Sequence, residues 1–271
     1  MSSARRDLVS GTVLLTGASG GLGQTIARAF AARGAQLVLT GRRVDSLERL
    51  AAEVGGRSIA CDLAVPEQLE RLVTEVGEVD ILVANAGLPA SGHFGSFSIA
   101  QIDTMLDVNL RAPIALAHAL TPAMVARRRG HLVFISSLGG RAASPRASMY
   151  NATKFGLRGF ALGLRQDLWR DGVGVSVVSP GFVRDAGMFA DAGVKLLPGV
   201  GTTTSGAVAA AVIRAVERNR AEVTVAPVAM RVASSFASVA PGVADAAQRV
   251  APAQRVAQDF ADGQLDKRPP A

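Results

Sequence analysis

The sequence predicts an α/β fold, a doubly wound parallel β-sheet of about seven strands flanked by helices on both faces. Two observations predict it. Short apolar segments of strand length alternate with helix-length segments through most of the chain, starting from a glycine-rich turn at residues 16–23. Glycine or polar residues follow one predicted strand after another, and ligands of such sheets bind beyond the carboxyl ends of the strands.

The first unit is a strand, the glycine-rich turn and a helix. Residues 12–15 are apolar and predict a buried strand, and residues 24–33 carry apolar side chains at helical spacing. The turn between them reads TGASGGLG. Because a helix N-terminus offers unpaired N–H groups and partial positive charge, this turn predicts a phosphate cradle. A tight structural turn without a ligand is the alternative interpretation.

The remaining elements follow in regular order. The predicted strands cover residues 12–15, 36–40, 57–60, 79–84, 130–135, 173–178 and 222–225. The predicted helices cover residues 24–33 and, approximately, residues 44–54, 66–76, 99–128, 148–170 and 205–218. Right-handed crossovers between parallel strands place such helices on both faces of the sheet.

The composition is typical of a globular protein, and the low cysteine content is typical of a protein in a reducing compartment. The chain has 271 residues, of which 49% are hydrophobic and 19% charged, which argues against disorder. The net charge is +7, but no aromatic residues interleave the basic runs, so we expect no specific nucleic-acid partner. The single cysteine, Cys61, favours a cytoplasmic location. The histidines, His93, His118 and His131, have no neighbouring ligand residues, so we expect no metal site.

Tyr150 and Lys154 form a candidate catalytic pair. They stand four residues apart at the start of a predicted helix, so both side chains lie on one face. A phenol normally titrates near 10, and a nearby ammonium lowers that pKa towards neutrality. The pair alone is common on solvated helices. Ser137, at the end of the predicted fifth strand, supports it as a hydroxyl that could stabilise charge on a substrate oxygen, with Ser136 as the competing candidate.

These motifs together resemble the short-chain dehydrogenase/reductase family, in its short single-domain form with a Rossmann-type fold. TGASGGLG matches the family's glycine turn, and ANAG at residues 84–87 matches its NNAG with alanine at the first asparagine. The pair Pro180-Gly181 matches its PG motif, and the resemblance covers residues 12–225. The positions that match the family's catalytic tetrad are Asn109, Ser137, Tyr150 and Lys154.

The resemblance implies an oxidoreductase that interconverts a carbonyl and an alcohol through a nicotinamide cofactor. It implies that Tyr150 transfers the proton while Ser137 holds the substrate oxygen. It further implies that Lys154 lowers the pKa of Tyr150 and binds the nicotinamide ribose, and that Asn109 holds a water connecting Lys154 to solvent. Family members are usually dimers or tetramers, so a homo-oligomer is implied as well. A non-catalytic dinucleotide-binding or scaffold protein of the same fold is the alternative.

The residues after the second strand predict NADP(H) in preference to NAD(H). An acid at this strand end would bind the ribose 2′-hydroxyl of NAD, but here Gly41 is followed by Arg42 and Arg43. Guanidinium groups bind a 2′-phosphate bidentately, whereas a carboxylate repels it. We expect Arg42 to be the main contact and Arg43 the second. Gly20 replaces a basic residue found in many NADP-using relatives, so selectivity must depend on these arginines.

The full predicted cofactor site follows the strand ends. It comprises Gly17, Ser19, Gly21, Leu22, Gly23, Arg42, Arg43, Asp62, Leu63, Asn85, Ala86, Gly87, Tyr150, Lys154, Pro180, Gly181 and Val183. The resemblance places Asp62 at the adenine amino group. One position departs from the family: Asp185 stands where a threonine usually contacts the nicotinamide carboxamide. Asp185 either accepts from that carboxamide or belongs to a differently arranged lid.

We expect residues 1–226 to form the cofactor-binding domain, with a lid at about residues 182–203, and residues 227–271 to form a helical C-terminal extension. Phe182, Met188 and Phe189 in the lid predict a hydrophobic substrate; an ordinary surface excursion is the alternative for this segment.

The extension carries apolar residues at helical spacing, including Val228, Val232, Phe236 and Val239. We expect packed or oligomer-forming helices there, with helices lying on a membrane surface as the alternative, because arginines flank the apolar faces.

Overall fold

The computed structural model describes residues 7–194, 196, 200–249 and 251–269. Some predicted segments therefore lie partly outside the described residues. These parts are residues 1–6 of the domain, residues 195 and 197–199 of the lid, and residues 250, 270 and 271 of the extension.

The sheet has seven strands, all parallel, which confirms the predicted fold class. The strands are β1 (Thr12–Thr16), β2 (Gln36–Gly41), β3 (Arg57–Ala60), β4 (Ile81–Ala84), β5 (Gly130–Ile135), β6 (Val173–Pro180) and β7 (Glu222–Val225). Their order across the sheet is β3-β2-β1-β4-β5-β6-β7. The strand order changes direction between β1 and β4, because β2 and β3 are added on one side of β1 and β4 to β7 on the other. Open α/β sheets bind ligands in the crevice at such a point.

Helices connect the strands and continue beyond the last one. They are α1 (Gly21–Ala31), α2 (Val44–Val54), α3 (Pro66–Val76), α4 (Ile99–Leu106), α5 (Ala112–Ala126), α6 (Ser148–Asp167), α7 (Gly187–Ala192), α8 (Ser205–Arg218), α9 (Val228–Val239), α10 (Pro241–Gln248) and α11 (Ala251–Asp262). The segment predicted to be a lid, residues 182–203, therefore contains a short helix, α7, and the C-terminal extension contains α9, α10 and α11.

The core lies on both faces of the sheet. Successive side chains of β1 alternate between faces: Val13 and Leu15 pack on the same side as α1, α2 and α8, whereas Leu14 packs on the side of α3, α5 and α6. All three side chains are fully buried. A strand buried on both faces needs an uninterrupted apolar run, which is why residues 12–15 predicted the strand.

The helix expected over residues 99–128 is interrupted. Between α4 and α5 the residues Asp107–Arg111 form a π-helical segment. Pro113 follows it and has no backbone N–H to donate to the carbonyl of Asn109, so the regular α-helical ladder cannot continue there. The wider turn contains Asn109, one of the predicted site residues.

The apolar face predicted for α9 lies on the surface. Val228 and Val239 are 70% and 85% exposed, and Val232 and Phe236 are also exposed. Of the two expected arrangements, packed or oligomer-forming helices, this exposure argues against packing of the face within the chain. Within the described part of the chain, none of the helices combines the length and the hydrophobicity needed to cross a membrane.

Candidate active site

A cavity of about 1350 Å³ lies beyond the carboxyl ends of the strands. This volume exceeds the roughly 300–1,000 Å³ of a typical small-molecule pocket, so the cavity can hold a dinucleotide together with a second molecule. All the predicted site residues line it except Asn109. These lining residues are Gly17, Ser19, Gly21, Leu22, Gly23, Arg42, Arg43, Asp62, Leu63, Asn85, Ala86, Gly87, Ser137, Tyr150, Lys154, Pro180, Gly181 and Val183.

The glycine turn after β1 is fixed against the end of β4. Gly17 has a φ of 63°, and a Cβ there would lie only 2.7 Å from the Cα of Ala86, so the position requires glycine. Thr16 Oγ1 accepts hydrogen bonds from the backbone N–H groups of Asn85 and Ala86, at 3.1 and 3.0 Å. The Asn85 side chain donates to the carbonyls of Thr16 and Gly17. Thr16 thus joins the two loops, a role that its place in the motif did not reveal.

The N-terminus of α1 can receive an anion. Its N-cap residue is Gly20, which has no side-chain oxygen to pair with the first N–H groups of the helix. The cavity is lined here by Gly20, Gly21 and Leu22. Uncapped N–H groups and the helix dipole together favour a phosphate group at this position.

The two arginines after β2 have different surroundings. Both are exposed and both line the cavity. The Arg43 guanidinium donates to the carbonyl oxygen of Ser19 in the glycine turn. Arg42 forms no hydrogen bond or ion pair with the described residues, so its guanidinium is available to an anionic ligand. Arg43 already braces the turn.

Asp62 and Cys61 follow β3 and line the cavity. Asp62 Oδ1 accepts from the N–H of Ala64 at 3.1 Å, which holds the carboxylate beside its own backbone. Burial, and secondarily the charge of Asp62, raises the pKa of the Cys61 thiol to about 11. Cys61 is therefore an unreactive, protonated thiol at neutral pH.

The end of β5 distinguishes the two candidate serines. Ser136 is buried and its Oγ donates to the carbonyl oxygen of Lys154 at 3.0 Å, so it anchors α6 to the strand. Ser137 lines the cavity, accepts from the N–H of Gly139 at 3.1 Å and is hydrogen-bonded to the Tyr150 side chain. The geometry therefore favours Ser137 as the residue that meets a substrate oxygen.

Tyr150 and Lys154 lie together on α6, as their spacing indicates. Lys154 Nζ is 5.8 Å from the centre of the Tyr150 ring and donates to the carbonyl of Ile135 at 3.0 Å. Burial lowers the pKa of Lys154 to about 8. Burial also raises the pKa of Tyr150, and the hydrogen bond from Ser137 opposes this only in part. The expected lowering of the Tyr150 pKa by Lys154 is therefore not found, because desolvation of the phenolate dominates.

Asn109 lies behind the cavity wall. Its side chain is buried and grips the backbone of Leu88: Oδ1 accepts from the Leu88 N–H at 2.6 Å, and Nδ2 donates to the Leu88 carbonyl at 3.0 Å. Gly87 separates it from Lys154, since a Cβ built on Gly87 would lie 3.5 Å from Asn109 Oδ1 and 3.7 Å from Lys154 Nζ. Asn109 thus fixes the loop after β4, in which Gly87 lies beside the Lys154 ammonium.

Asp185 belongs to the fold of the lid. Its carboxylate accepts hydrogen bonds from the N–H of Ser205 at 2.8 Å and from the Ser205 hydroxyl at 3.1 Å, at the start of α8. These bonds lower the pKa of Asp185. Asp185 is not among the residues that line the cavity. The carboxylate therefore connects the segment after β6 to the start of α8, and it does not point into the cavity where the nicotinamide is expected.

The histidines lie away from the cavity lining. His131 is buried, with Nε2 2.8 Å from Ser176 Oγ, whereas His93 and His118 are exposed. Among the residues described, histidine, cysteine and acidic side chains do not gather in groups of three or more that could hold a metal ion.

A family model and known proteins match this chain. The family described as short chain dehydrogenase matches residues 11–195. A ketoacyl reductase, HetN, from Nostoc sp. is 39% identical over 227 residues, which cover 80% of this chain and 79% of the relative.

Two solved structures extend the comparison. A metagenomic short-chain oxidoreductase in complex with NADP has a TM-score of 0.70 and 32% identity, and the match covers 80% of this chain and 97% of that one. A short-chain dehydrogenase from Sphingobium yanoikuyae in complex with NADPH has a TM-score of 0.75 and 28% identity, over 90% of this chain and 97% of that one.

The fold and the composition of the cavity define a Rossmann-type, dinucleotide-dependent oxidoreductase. The family match spans more than half of the chain, and the relatives carry dehydrogenase and reductase names. The chain belongs to the short-chain dehydrogenase/reductase family.

Proposed function

We propose that the protein is an NADP(H)-dependent oxidoreductase that interconverts a carbonyl and an alcohol on a hydrophobic substrate. The observation that carries the proposal is the convergence of Ser137, Tyr150 and Lys154 beside the glycine turn, in one cavity large enough for a dinucleotide and a substrate. A non-catalytic scaffold has no need for a buried ammonium next to a phenol, since burying that charge costs stability.

The cofactor preference is supported by charge at the end of β2. Arg42 lines the cavity without an ionic partner among the described residues, and a guanidinium in that state suits a 2′-phosphate. Gly41 stands where a carboxylate would select NAD. The solved relatives with NADP and NADPH agree with this preference.

The residues of this chain would hold the substrate and manage its proton. A bound NADPH supplies the hydride. Burial keeps Tyr150 protonated at neutral pH, so its hydroxyl is ready to donate to a carbonyl oxygen as charge develops there. Ser137 would donate a second hydrogen bond to the same oxygen. Lys154, at 5.8 Å from the Tyr150 ring, would stabilise the phenolate that remains.

The raised pKa of Tyr150 keeps it in the protonated form at neutral pH. This is the form that can donate a proton to a ketone, whereas oxidation of an alcohol needs the phenolate. The name of the HetN relative, a ketoacyl reductase, supports a ketone as the group reduced.

Deuteride transfer tests this proposal directly. The protein is incubated with NADPH deuterated at either face of nicotinamide C4 and with a panel of ketones, and the alcohols are examined by mass spectrometry. We expect deuterium in the product alcohol from one face only, and a faster reaction with NADPH than with NADH. A protein that binds NADPH but forms no deuterated alcohol from any ketone would support the scaffold alternative.

A further inference from the structure

The C-terminal extension contributes a large part of the cavity wall. Its lining side chains come from α9, α10, α11 and the turn that follows α11. They are Met230, Ala233, Ser234, Phe236, Ala237, Val243, Ala244, Gln248, Val256, Ala257, Phe260, Asp266 and Arg268. Most of these side chains are apolar, whereas the predicted cofactor half of the cavity also carries glycines, polar residues and the two arginines.

Aromatic contacts join the extension to the lid. The rings of Phe182 and Phe189 are 4.8 Å apart between centroids, and Phe189 stacks on Phe260 of α11 at 6.2 Å. All three residues line the cavity. The lid and the extension therefore form one continuous apolar wall.

Polar contacts fasten the end of the extension to the opposite side of the cavity. Arg268 donates to the carbonyl of Ser91 at 2.7 Å, and its guanidinium lies 4.7 Å from the centre of the Phe97 ring. Gly92 leaves the space that this guanidinium occupies, because a Cβ there would collide with it. Gln101 donates to the carbonyl of Pro269 at 2.9 Å.

A second fastening lies between the extension and α7. Gln264 is almost fully buried and donates to the carbonyl of Met188 at 3.3 Å. Gly263 lies so close to α7 that a Cβ would be 2.5 Å from the carbonyl oxygen of Ala192. The extension is thus attached to the lid at one side and to the loop after β4 at the other, over the cavity.

The apolar character of this wall determines which ligand binds well. A ligand that lies against the wall buries its own surface, which is favourable for hydrocarbon groups and unfavourable for unpaired polar groups. Met230, Ser234 and Ala237 follow one another along one face of α9, a distance of about 10 Å at the helical rise. A chain of methylene groups can follow such a line, whereas a compact substituent cannot use it.

We propose that α9 to α11 form the specificity wall of the substrate pocket and bind a long unbranched alkyl chain attached to the reacting carbonyl, with Phe260 as a specificity-determining residue. The proposal rests on the proposed function for the reaction, and names the substrate class that the pocket accepts.

Chain-length selectivity tests the wall. Catalytic efficiency is measured with NADPH on butan-2-one and nonan-2-one for wild type, Phe260→Ala, Phe260→Leu and Val239→Ala. Val239 is 85% exposed on α9 and does not line the cavity, which makes it the matched control. We expect Phe260→Ala to lower efficiency on nonan-2-one roughly tenfold or more, with butan-2-one changed less than twofold. Phe260→Leu should have a smaller effect, and Val239→Ala none.

A binding measurement separates this inference from the proposed reaction. Calorimetric titration of nonan-1-ol into the NADP-loaded protein needs no turnover, and Phe260→Ala should weaken that binding by a similar factor. Weakened binding without any ketone reduction would refute the reaction and leave the wall standing. Unchanged nonan-1-ol binding, or equal losses on both ketones, would overturn the assignment of Phe260 and the wall.

Discussion

The ammonium of Lys154 donates a 3.0 Å hydrogen bond to the carbonyl oxygen of Ile135, the last residue of β5. This contact holds a buried charge at the strand end that also carries Ser137. A second hydrogen bond joins the same two elements, because Ser136 Oγ donates to the backbone carbonyl of Lys154 at 3.0 Å. The strand end and the first turn of α6 are thus joined through two hydrogen bonds around the candidate catalytic group.

The buried ammonium should reduce stability at neutral pH. Burial lowers the pKa of Lys154 from 10.5 to about 8, so between these values the unfolded state binds more protons than the folded state. Wild-type stability should therefore rise relative to Lys154→Met as pH increases from 8 towards 10.5. By linkage, the free energy of unfolding of the wild type should rise relative to that of Lys154→Met by about 3 kcal/mol in total across this pH range.

Chemical denaturation of both proteins from pH 7 to pH 10 measures this difference. We expect the stability advantage of Lys154→Met to be greatest at pH 7, where the charge is fully present in both states, and to shrink above pH 8. An advantage that does not depend on pH would show that Lys154 is not desolvated in the free protein.

Arg42 and Arg43 should respond differently to substitution. Arg42 has no ionic partner among the described residues, so Arg42→Ala should raise the KM for NADPH roughly tenfold or more and leave the KM for NADH nearly unchanged. Arg43 also holds the Ser19 carbonyl, so Arg43→Ala should raise both values. Steady-state kinetics with each cofactor gives the comparison, and equal effects of Arg42→Ala on both would remove its assignment to the 2′-phosphate.

Asp185 should matter for stability and little for cofactor binding. Asp185→Ala removes the acceptor of two hydrogen bonds at the start of α8, and loss of a side-chain acceptor at a helix start costs about 1 kcal/mol. Thermal unfolding should show this loss, with a smaller one for Asp185→Asn, which keeps one side-chain oxygen. NADPH affinity, followed by its fluorescence, should stay within twofold of wild type. A large loss of affinity without destabilisation would return Asp185 to the cofactor site.

Most of the architecture is predictable from the sequence for local reasons. The bounds expected for β3, β5 and β7 and the approximate bounds expected for α2 and α3 are those observed. For α2 and α3 the reason is an amphipathic segment that ends at glycine, and for β5 it is an apolar run that ends at Ser136. The clustering of the predicted site residues is equally predictable, since parallel strands bring their carboxyl ends to the same edge of the sheet. Thr204 caps α8, and its side chain accepts a hydrogen bond from the N–H of Ala207.

Other features depend on contacts that are distant in sequence. The partner of Asp185 is twenty residues away, and nothing near Asp185 indicates it. The Tyr150 pKa follows burial produced by the whole fold, which outweighs its neighbour four residues on. In the extension, Phe260 faces the cavity while Val239 faces solvent. Helical spacing shows which apolar residues share one face of a helix, but it does not show whether that face contacts the cavity, another helix or solvent.

Replacement of Tyr150 by phenylalanine tests the central claim most directly. Ketone-dependent oxidation of NADPH is followed by absorbance for wild type and Tyr150→Phe, together with NADPH affinity and thermal unfolding. Because only the phenolic hydroxyl is lost, we expect cofactor binding and folding to persist while the rate of ketone reduction falls by roughly 10²-fold or more. Ketone reduction at the wild-type rate by Tyr150→Phe would contradict proton transfer by this residue.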